Sequence, residues 1–507
     1  MRQKFIFISF MGLAISLLSF VNGNESLFVK PANFPEPHYR FNENPLTPEG
    51  VELGRLLFYD ARLSRDGTIS CGSCHQQPSA FTQHGHALSH GIDDLLTQRN
   101  SMPLQNLAWL SDFGWDGGVH DLDLFAVSPI QKPNEMAETL SNVLDKLRLD
   151  SAYLLLFQKA FGSSEITTEH FLKAISQFML TLVSANSRYD KYIRNEGETL
   201  SSEELAGLSL FKQKCASCHA GELFTDQTYR NNGLKITDSE DIGRAAISLN
   251  DADKYKFRVP SLRNVAQTFP YMHDGRLGTL EEVLSHYETG VQSHAYTDPL
   301  LKGGIALSAT EKSQIIAFLN TLTDTQFLKN PAFSETGEAY NEPSVAIGDW
   351  TKTNFGELEH SLKTTFQEAL ILYLNITRAM AKEDGKTAKE TADKLFKMLN
   401  QIDKSKFSTL QKSLYISTIE DLSFDIEHIS ETESFQHQRD HIGDVGKNLF
   451  KLIKAYHANN KPLYYLFCPK AEQGRGGYWI SETPNSANPF FSTNNKCGAI
   501  KEELLSN

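Results

Sequence analysis

A mainly α-helical chain, made of two similar units in tandem and a small helical bundle with a cysteine-containing, turn-rich end, is what three observations predict. The pattern Cys-x-x-Cys-His occurs twice, in SCGSCHQQPSAF from Ser70 and in KCASCHAGELF from Lys214. Each copy follows a segment whose leucines recur at helical spacing. Past Leu328 the composition shifts through NPAFSETGEAYNEPS, and a run of helix-periodic segments follows it.

In chain order, Arg2 and Lys4 come first, then the apolar run FIFISFMGLAISLLSFV, then the small and polar NGNES. A basic flank, a short apolar core and a small residue at the break mark a secretory signal over 1–23, with cleavage after Gly23. The expected location is the periplasm; the alternative is a membrane anchor kept as an uncleaved signal. No later apolar run approaches the ~20 residues that span a bilayer. The first unit, 24–190, contains TPEGVELGRLLFYD, where Thr47 can cap and Pro48 can open a helix. Its connecting segments, EMAETLSNVLDKLRLDSAYLLLFQKAFG and TEHFLKAISQFMLTLVSA, are apolar enough to pack the two units together. The second unit, 191–330, opens with SSEELAGLSLFKQ, a helix running up to Cys215. A linker is expected over 331–350.

From 351 to 507, four helix-periodic segments suggest an antiparallel bundle. The stretch FCPKAEQGRGGYWISETPNSANPFFSTNNKCG closes the chain with turns. In an oxidising compartment Cys468 and Cys497 are most simply a disulfide; a metal site with a histidine such as His441 is the alternative. The other bundle histidines are expected at the surface.

Six cysteines in 507 residues make even one chance Cys-x-x-Cys-His improbable, on the order of 0.002. Two thiols three positions apart can reach the two vinyl groups of one porphyrin, and the next residue then offers an imidazole to the iron. Cys71, Cys74 and His75, and again Cys215, Cys218 and His219, therefore assign two covalent c-type haems. Disulfides or redox dithiols would leave the histidine unexplained in both copies, and a four-cysteine zinc site would have to join two distant motifs. A haem after an amphipathic helix is the arrangement of a cytochrome c domain, so two such domains are expected in tandem. The formal charge of −13 argues against nucleic acid as a partner.

LTPEGVELGRLLFYDARLS, RNSMPLQNLAW, WDGG, PIQKPNEM, KFRVPSLRNVAQTFPYMHDGRLGTLEE and both haem motifs, spanning about 40 to 325, resemble the bacterial di-haem cytochrome c peroxidases and the related MauG enzymes. The resemblance implies that peroxide binds at the N-terminal haem, that the C-terminal haem handles electrons, and that a calcium ion lies between the domains. It implies His75 and His219 as proximal ligands, Trp115 as the tryptophan between the haems, and Pro129 and Glu135 in the peroxide pocket. Asn100, Thr268 and Pro270 match the calcium positions. Tyr287, fourteen residues after His273, stands where ordinary peroxidases have methionine and MauG has tyrosine, and is expected as the second axial ligand of the His219 haem; His286 and His294 are the alternatives.

The chemistry suits these roles. A carboxylate such as Glu135 can take a proton from one peroxide oxygen and deliver it to the other; its plainer role is that of an acid at a helix start. The indole of Trp115 can pass electrons, or simply pack. Met272 is expected to pack.

Departures limit the transfer. Phe125 replaces a common pocket glutamine, and Ile92 occupies the position of the removable distal histidine. His90, offset by two residues, with His84 and His86, is a candidate distal ligand. The C-terminal segment resembles a periplasmic domain of unassigned function, sometimes linked to heavy metals, but carries Lys470 where that pattern often has methionine.

The expected activity is cytochrome-c-peroxidase-like reduction of hydrogen peroxide, with a small periplasmic cytochrome c or cupredoxin as donor. One alternative is MauG-like oxidation of a protein or small molecule; the other is a non-catalytic electron carrier or haem sensor.

Overall fold

A computed structural model describes residues 27–83, 86–236, 241–335, 350–471, 476–484, 487–491 and 497–506. The expected signal, His84 and most of the expected linker lie outside them. Among the described residues no helix is long and apolar enough to cross a membrane.

The helix Pro48–Tyr59 starts where Thr47 and Pro48 direct it, the Thr47 hydroxyl accepting from the Gly50 N–H. It packs along Thr168–Thr181, with Leu140–Arg148 and Ser151–Phe161 completing one apolar core around Leu53, Leu57, Phe58, Phe157, Phe171 and Phe178. These connecting segments, expected to pack the two units together, build the core of the first, and Leu223 and Phe327 of the second unit join that same core. Thr168–Thr181 and Ser151–Phe161 lie against Pro48–Tyr59.

A second core repeats the design. Ser202–Lys214, capped by Ser201, packs on Ala309–Asn320 around Leu208, Phe211, Ile315 and Phe318. The repeat extends to a single glycine. A Cβ on Gly54 would lie 1.9 Å from the Ala174 carbonyl oxygen and 3.0 Å from the Phe178 Cβ; one on Gly207 would lie 1.9 Å from that of Gln314 and 2.9 Å from the Phe318 Cβ. In each core a helix leading to a haem motif lies directly on the backbone of its partner, an approach only glycine permits. Gly54→Ala or Gly207→Ala is therefore expected to cost about 1–3 kcal/mol, read as a lower urea midpoint with an unchanged slope.

Phe81 meets Phe327 between the units, with ring centroids 5.7 Å apart, and polar contacts lie beside them. Arg263 forks onto Asp190 with two 2.8 Å bonds, both side chains fully buried. Burial opposes the charge on Asp190, and the guanidinium outweighs it, holding the carboxyl below its ordinary value. Gln105 donates to the Arg263 carbonyl at 2.6 Å.

The third core lies in four helices, His360–Met380, Gly385–Asn400, Thr409–Glu431 and Phe435–Ala455, close to the four periodic segments of the sequence. The end expected as turns instead carries an antiparallel sheet. Leu463–Cys468 is its central strand, between Gly477–Ser481 and Ala499–Leu504. Its buried residues Leu463, Leu466, Trp479 and Ile480 join the helical core, and Cys468 is bonded to Cys497. The turn residues mask short strands whose alternation is readable only once a helix covers one face.

Candidate haem sites

Cys71–Cys74 is a single helical turn closed by a capping box between Ser70 and Ser73, and His75 ends it. The His75 Nδ1 lies 2.7 Å from the Phe81 carbonyl oxygen. A carbonyl can only accept, so Nδ1 carries the proton and Nε2 keeps its lone pair for a metal. His219 repeats this, its Nδ1 3.2 Å from the carbonyls of both Phe224 and Pro260. Burial holds both imidazoles below their ordinary pKa, hence neutral.

The four motif cysteines are free. Desolvation pushes the Cys71 and Cys74 thiols up to about 12 and that of Cys215 up to about 11. Reactive dithiols have depressed values, so the redox-dithiol reading fits poorly. Two neutral imidazoles with fixed tautomers, each beside a pair of protonated thiols, fit covalent haem. The measurable consequence is two haems per chain retained on denaturation; a mass spectrum with one or none would remove the assignment.

The expected peroxide-pocket residues come together on two stitched loops. The Ile92 N–H donates to the Glu135 carbonyl at 2.8 Å, and Asn134 Nδ2 donates to the Leu96 carbonyl at 2.8 Å. Gly91 makes this possible, since a Cβ there would lie 2.3 Å from the Asn134 carbonyl oxygen. The Pro129 carbonyl accepts from the Met136 N–H at 3.2 Å, bending the chain back so that Glu135 follows the short helix Val127–Gln131. The Glu135 carboxylate accepts from Lys132 Nζ at 2.9 Å, so it is held by a flexible ammonium while its backbone is fixed. Ile92 is fully buried, and Phe125 stacks towards Phe113.

Trp115 sits on the seam between the two cores. Its Nε1 donates to the Asn100 carbonyl at 2.8 Å, and its own carbonyl accepts from the Arg258 N–H at 2.7 Å. The Asn100 N–H donates to the His273 carbonyl at 2.8 Å. Arg99 ties Asp116 and Asp241 together beside it. Asn100, expected at a calcium site, turns its Nδ2 to the Ala87 carbonyl at 3.0 Å; Thr268 and Pro270 precede His273, whose carbonyl accepts from the Asn100 N–H, and the Thr268 hydroxyl donates to the Val265 carbonyl.

Tyr287 lies in a wide helical turn, His286–Gly290, that ends Leu280–Ser285. Burial, then the nearby Cys218 and Cys215 sulfurs, push its hydroxyl up to about 12, which places the phenol beside the second haem motif. His286 is turned elsewhere, its Nε2 donating to the Asn232 carbonyl at 3.0 Å. Asn232 also donates to the Met272 sulfur at 3.2 Å. Its place beside Tyr287 and Met272 had no sequence signal.

His90 turns its Nδ1 to Asp94 at 2.5 Å. Of the bundle histidines expected at the surface, His360 and His457 are exposed, whereas His437 has both ring nitrogens buried; His441, the alternative metal ligand, is 2% exposed. The side of the Phe435–Ala455 helix that carries His437 and His441 meets the loop after the first haem motif, which buries them.

Two haem-fitting histidine and cysteine sets on a mainly helical scaffold, joined through a tryptophan seam, define a di-haem c-type oxidoreductase. Residues 48–198 match the family described as Di-haem cytochrome c peroxidase, and 369–461 match a family of unknown function, DUF3347. The methylamine utilization protein MauG of Methylorubrum extorquens is 37% identical over 298 residues, 58% of this chain and 83% of that protein. The cytochrome c551 peroxidase of Nitrosomonas europaea is 35% identical over 328 residues, 62% of this chain and 92% of the relative. Among solved structures, a MauG-like protein associated with microbial copper homeostasis aligns with a TM-score of 0.57 at 34% identity, covering 61% of this chain and 99% of that one. The chain belongs to the di-haem cytochrome c peroxidase and MauG family.

Proposed function

We propose that the protein is a di-haem peroxidase that reduces hydrogen peroxide at the His75 side and relays electrons from the His219 side, the two haem units being tandem cytochrome c-like domains. The observation that carries this reading is the pair of carbonyl-anchored histidines, His75 and His219, one in each Cys-x-x-Cys-His motif. When bound, the two haems supply the redox chemistry and the peroxide-binding iron. The chain's own part is to hold His75 and His219 in the ligating tautomer, to place Glu135 as the proton carrier, and to keep Trp115 oriented between the two units. Glu135 would accept one proton from peroxide and deliver it to the departing oxygen, the two haems supplying the two electrons with which the O–O bond breaks. Lys132 holds the carboxylate ready without burying it. Asn100, Thr268 and Pro270 would hold a calcium ion at the seam through their backbone and the Asn100 amide oxygens. The protein works in the periplasm, with a small cytochrome c or cupredoxin as donor. Purified protein should reduce peroxide with a reduced c-type cytochrome; absence of turnover with both haems attached would sink the reading.

A second reading, peroxide-driven oxidation of a protein or small molecule as in MauG, is favoured by Tyr287. A phenol beside the second haem motif, with no thioether in its place, suits a unit that stays oxidised and stores oxidising equivalents rather than accepting electrons from a cytochrome.

A further inference from the structure

Five histidines meet where the loop after the first haem motif touches the C-terminal bundle, and they belong neither to the haem motifs nor to the tryptophan seam. We propose that His86 and His90 of that loop, with His437 and His441 of the Phe435–Ala455 helix, bind one late first-row transition-metal ion across the contact.

The geometry is that of a ligand set. Ligand nitrogens of His86, His90 and His437 all lie within 4.8 Å of one another. His86 Nε2 lies 2.5 Å from His441 Nε2, so either one ring donates to the other or both turn their lone pairs to a shared cation. The rings of His90 and His437 are 4.2 Å apart, and those of His86 and His441 4.4 Å. His437 and His441, four positions apart on one helix, share a face. Both ring nitrogens of His437 are buried without a hydrogen-bond partner, an arrangement that disfavours the bare imidazole and that a cation would satisfy.

The outer groups are those a metal site uses. His90 Nδ1 is held by Asp94 at 2.5 Å, and His441 Nδ1 by Asp425 at 2.9 Å. Each carboxylate fixes the tautomer with the proton on Nδ1, directs Nε2 inward, and raises the basicity of the ring. His428 flanks the set, its ring 4.7 Å from that of His441 and its Nδ1 donating to the Phe424 carbonyl. Nitrogen ligands without inner carboxylates exclude magnesium and calcium and select copper or zinc, with copper(II) first in intrinsic affinity. The bundle cysteines take no part, since Cys468 is bonded to Cys497. The His90 carbonyl lies 3.9 Å from the Cys74 sulfur, so the ion would sit beside the attachment of the first haem while tying the bundle to that unit.

The test uses the full di-haem protein, dialysed against EDTA, which leaves covalent haem in place, and titrated with copper(II) chloride and, in parallel, zinc chloride. One equivalent per chain beyond the two haem irons is expected, with a copper(II) resonance split by several imidazole nitrogens. His437→Ala with His441→Ala should weaken binding by about 10²-fold or more while both haems stay attached. Copper displacing bound zinc assigns the site to copper, and zinc retained against copper assigns it to zinc. Uptake of no extra equivalent, or undiminished uptake by the double variant, overturns the proposal. If the double variant loses its helical circular dichroism, anomalous diffraction from the unaltered protein decides: a copper-edge peak among these four histidines sustains the site, and a peak elsewhere or none removes it.

Discussion

Glu135→Gln is expected to lower peroxide turnover by about 10²-fold or more with both haems still attached. Glutamine keeps the length of the side chain and can still accept from Lys132 Nζ, as the carboxylate does at 2.9 Å. It cannot carry a proton. The backbone of residue 135 is held by the Ile92 N–H and by the close approach of Gly91, so the replacement should leave the loop in place and isolate the proton transfer. Peroxide binding, followed as a perturbation of the haem spectrum, should survive, and turnover should fall. Near-normal turnover in Glu135→Gln would leave the residue only its place at the turn into the helix Leu140–Arg148. Asp at the same position is the useful control, since it restores the acid but shortens its reach.

Tyr287→Met is expected to raise the potential of the His219 haem by on the order of 100 mV or more, because an axial thioether favours reduced iron and a phenolate favours oxidised iron. The surrounding protein makes the phenol hard to ionise by itself, with its hydroxyl pushed up to about 12; a bound ferric ion supplies the positive charge that would hold it as phenolate at neutral pH. The oxidised native protein should then react with peroxide without prior reduction, and the variant should need a reductant first. Potentiometry and stopped-flow spectra on the same preparations measure both. An unchanged potential and spectrum would remove Tyr287 as a ligand. The reading would then return to a conventional peroxidase or to a histidine at that iron, and His286, whose Nε2 is engaged with the Asn232 carbonyl, would have to break that bond to serve.

Much of this was legible in the chain. The two c-type haems that the family implies were, because the spacing of two thiols and an imidazole is a local chemical pattern written in order along the chain. The helix before the first haem was, because Thr47 and Pro48 act on their own turn. The four bundle helices were, because an apolar face at a helical period announces itself wherever it is later buried. The closing sheet was not, because its strands are short and set among turn residues. Nor was the assignment of 140–148, 151–161 and 168–181 to the first core, since an apolar stripe states that it will be covered and not by what.

What the sequence by itself determined is therefore the covalent chemistry and the helical skeleton: two Cys-x-x-Cys-His motifs, each placed after an amphipathic helix. What only the tertiary structure decided is where distant residues meet. Gly54 and Gly207 became contact points on the backbones of Ala174 and Gln314, Tyr287 arrived beside Cys215 and Cys218, and His437 and His441 closed on His86 and His90 across some 350 positions. Local chemistry acts through bonds and through the few residues of one turn, so it is written in order along the chain. A site built from loops and separate helices depends on how whole apolar faces choose one another, and that choice is made by packing, which a single residue does not record.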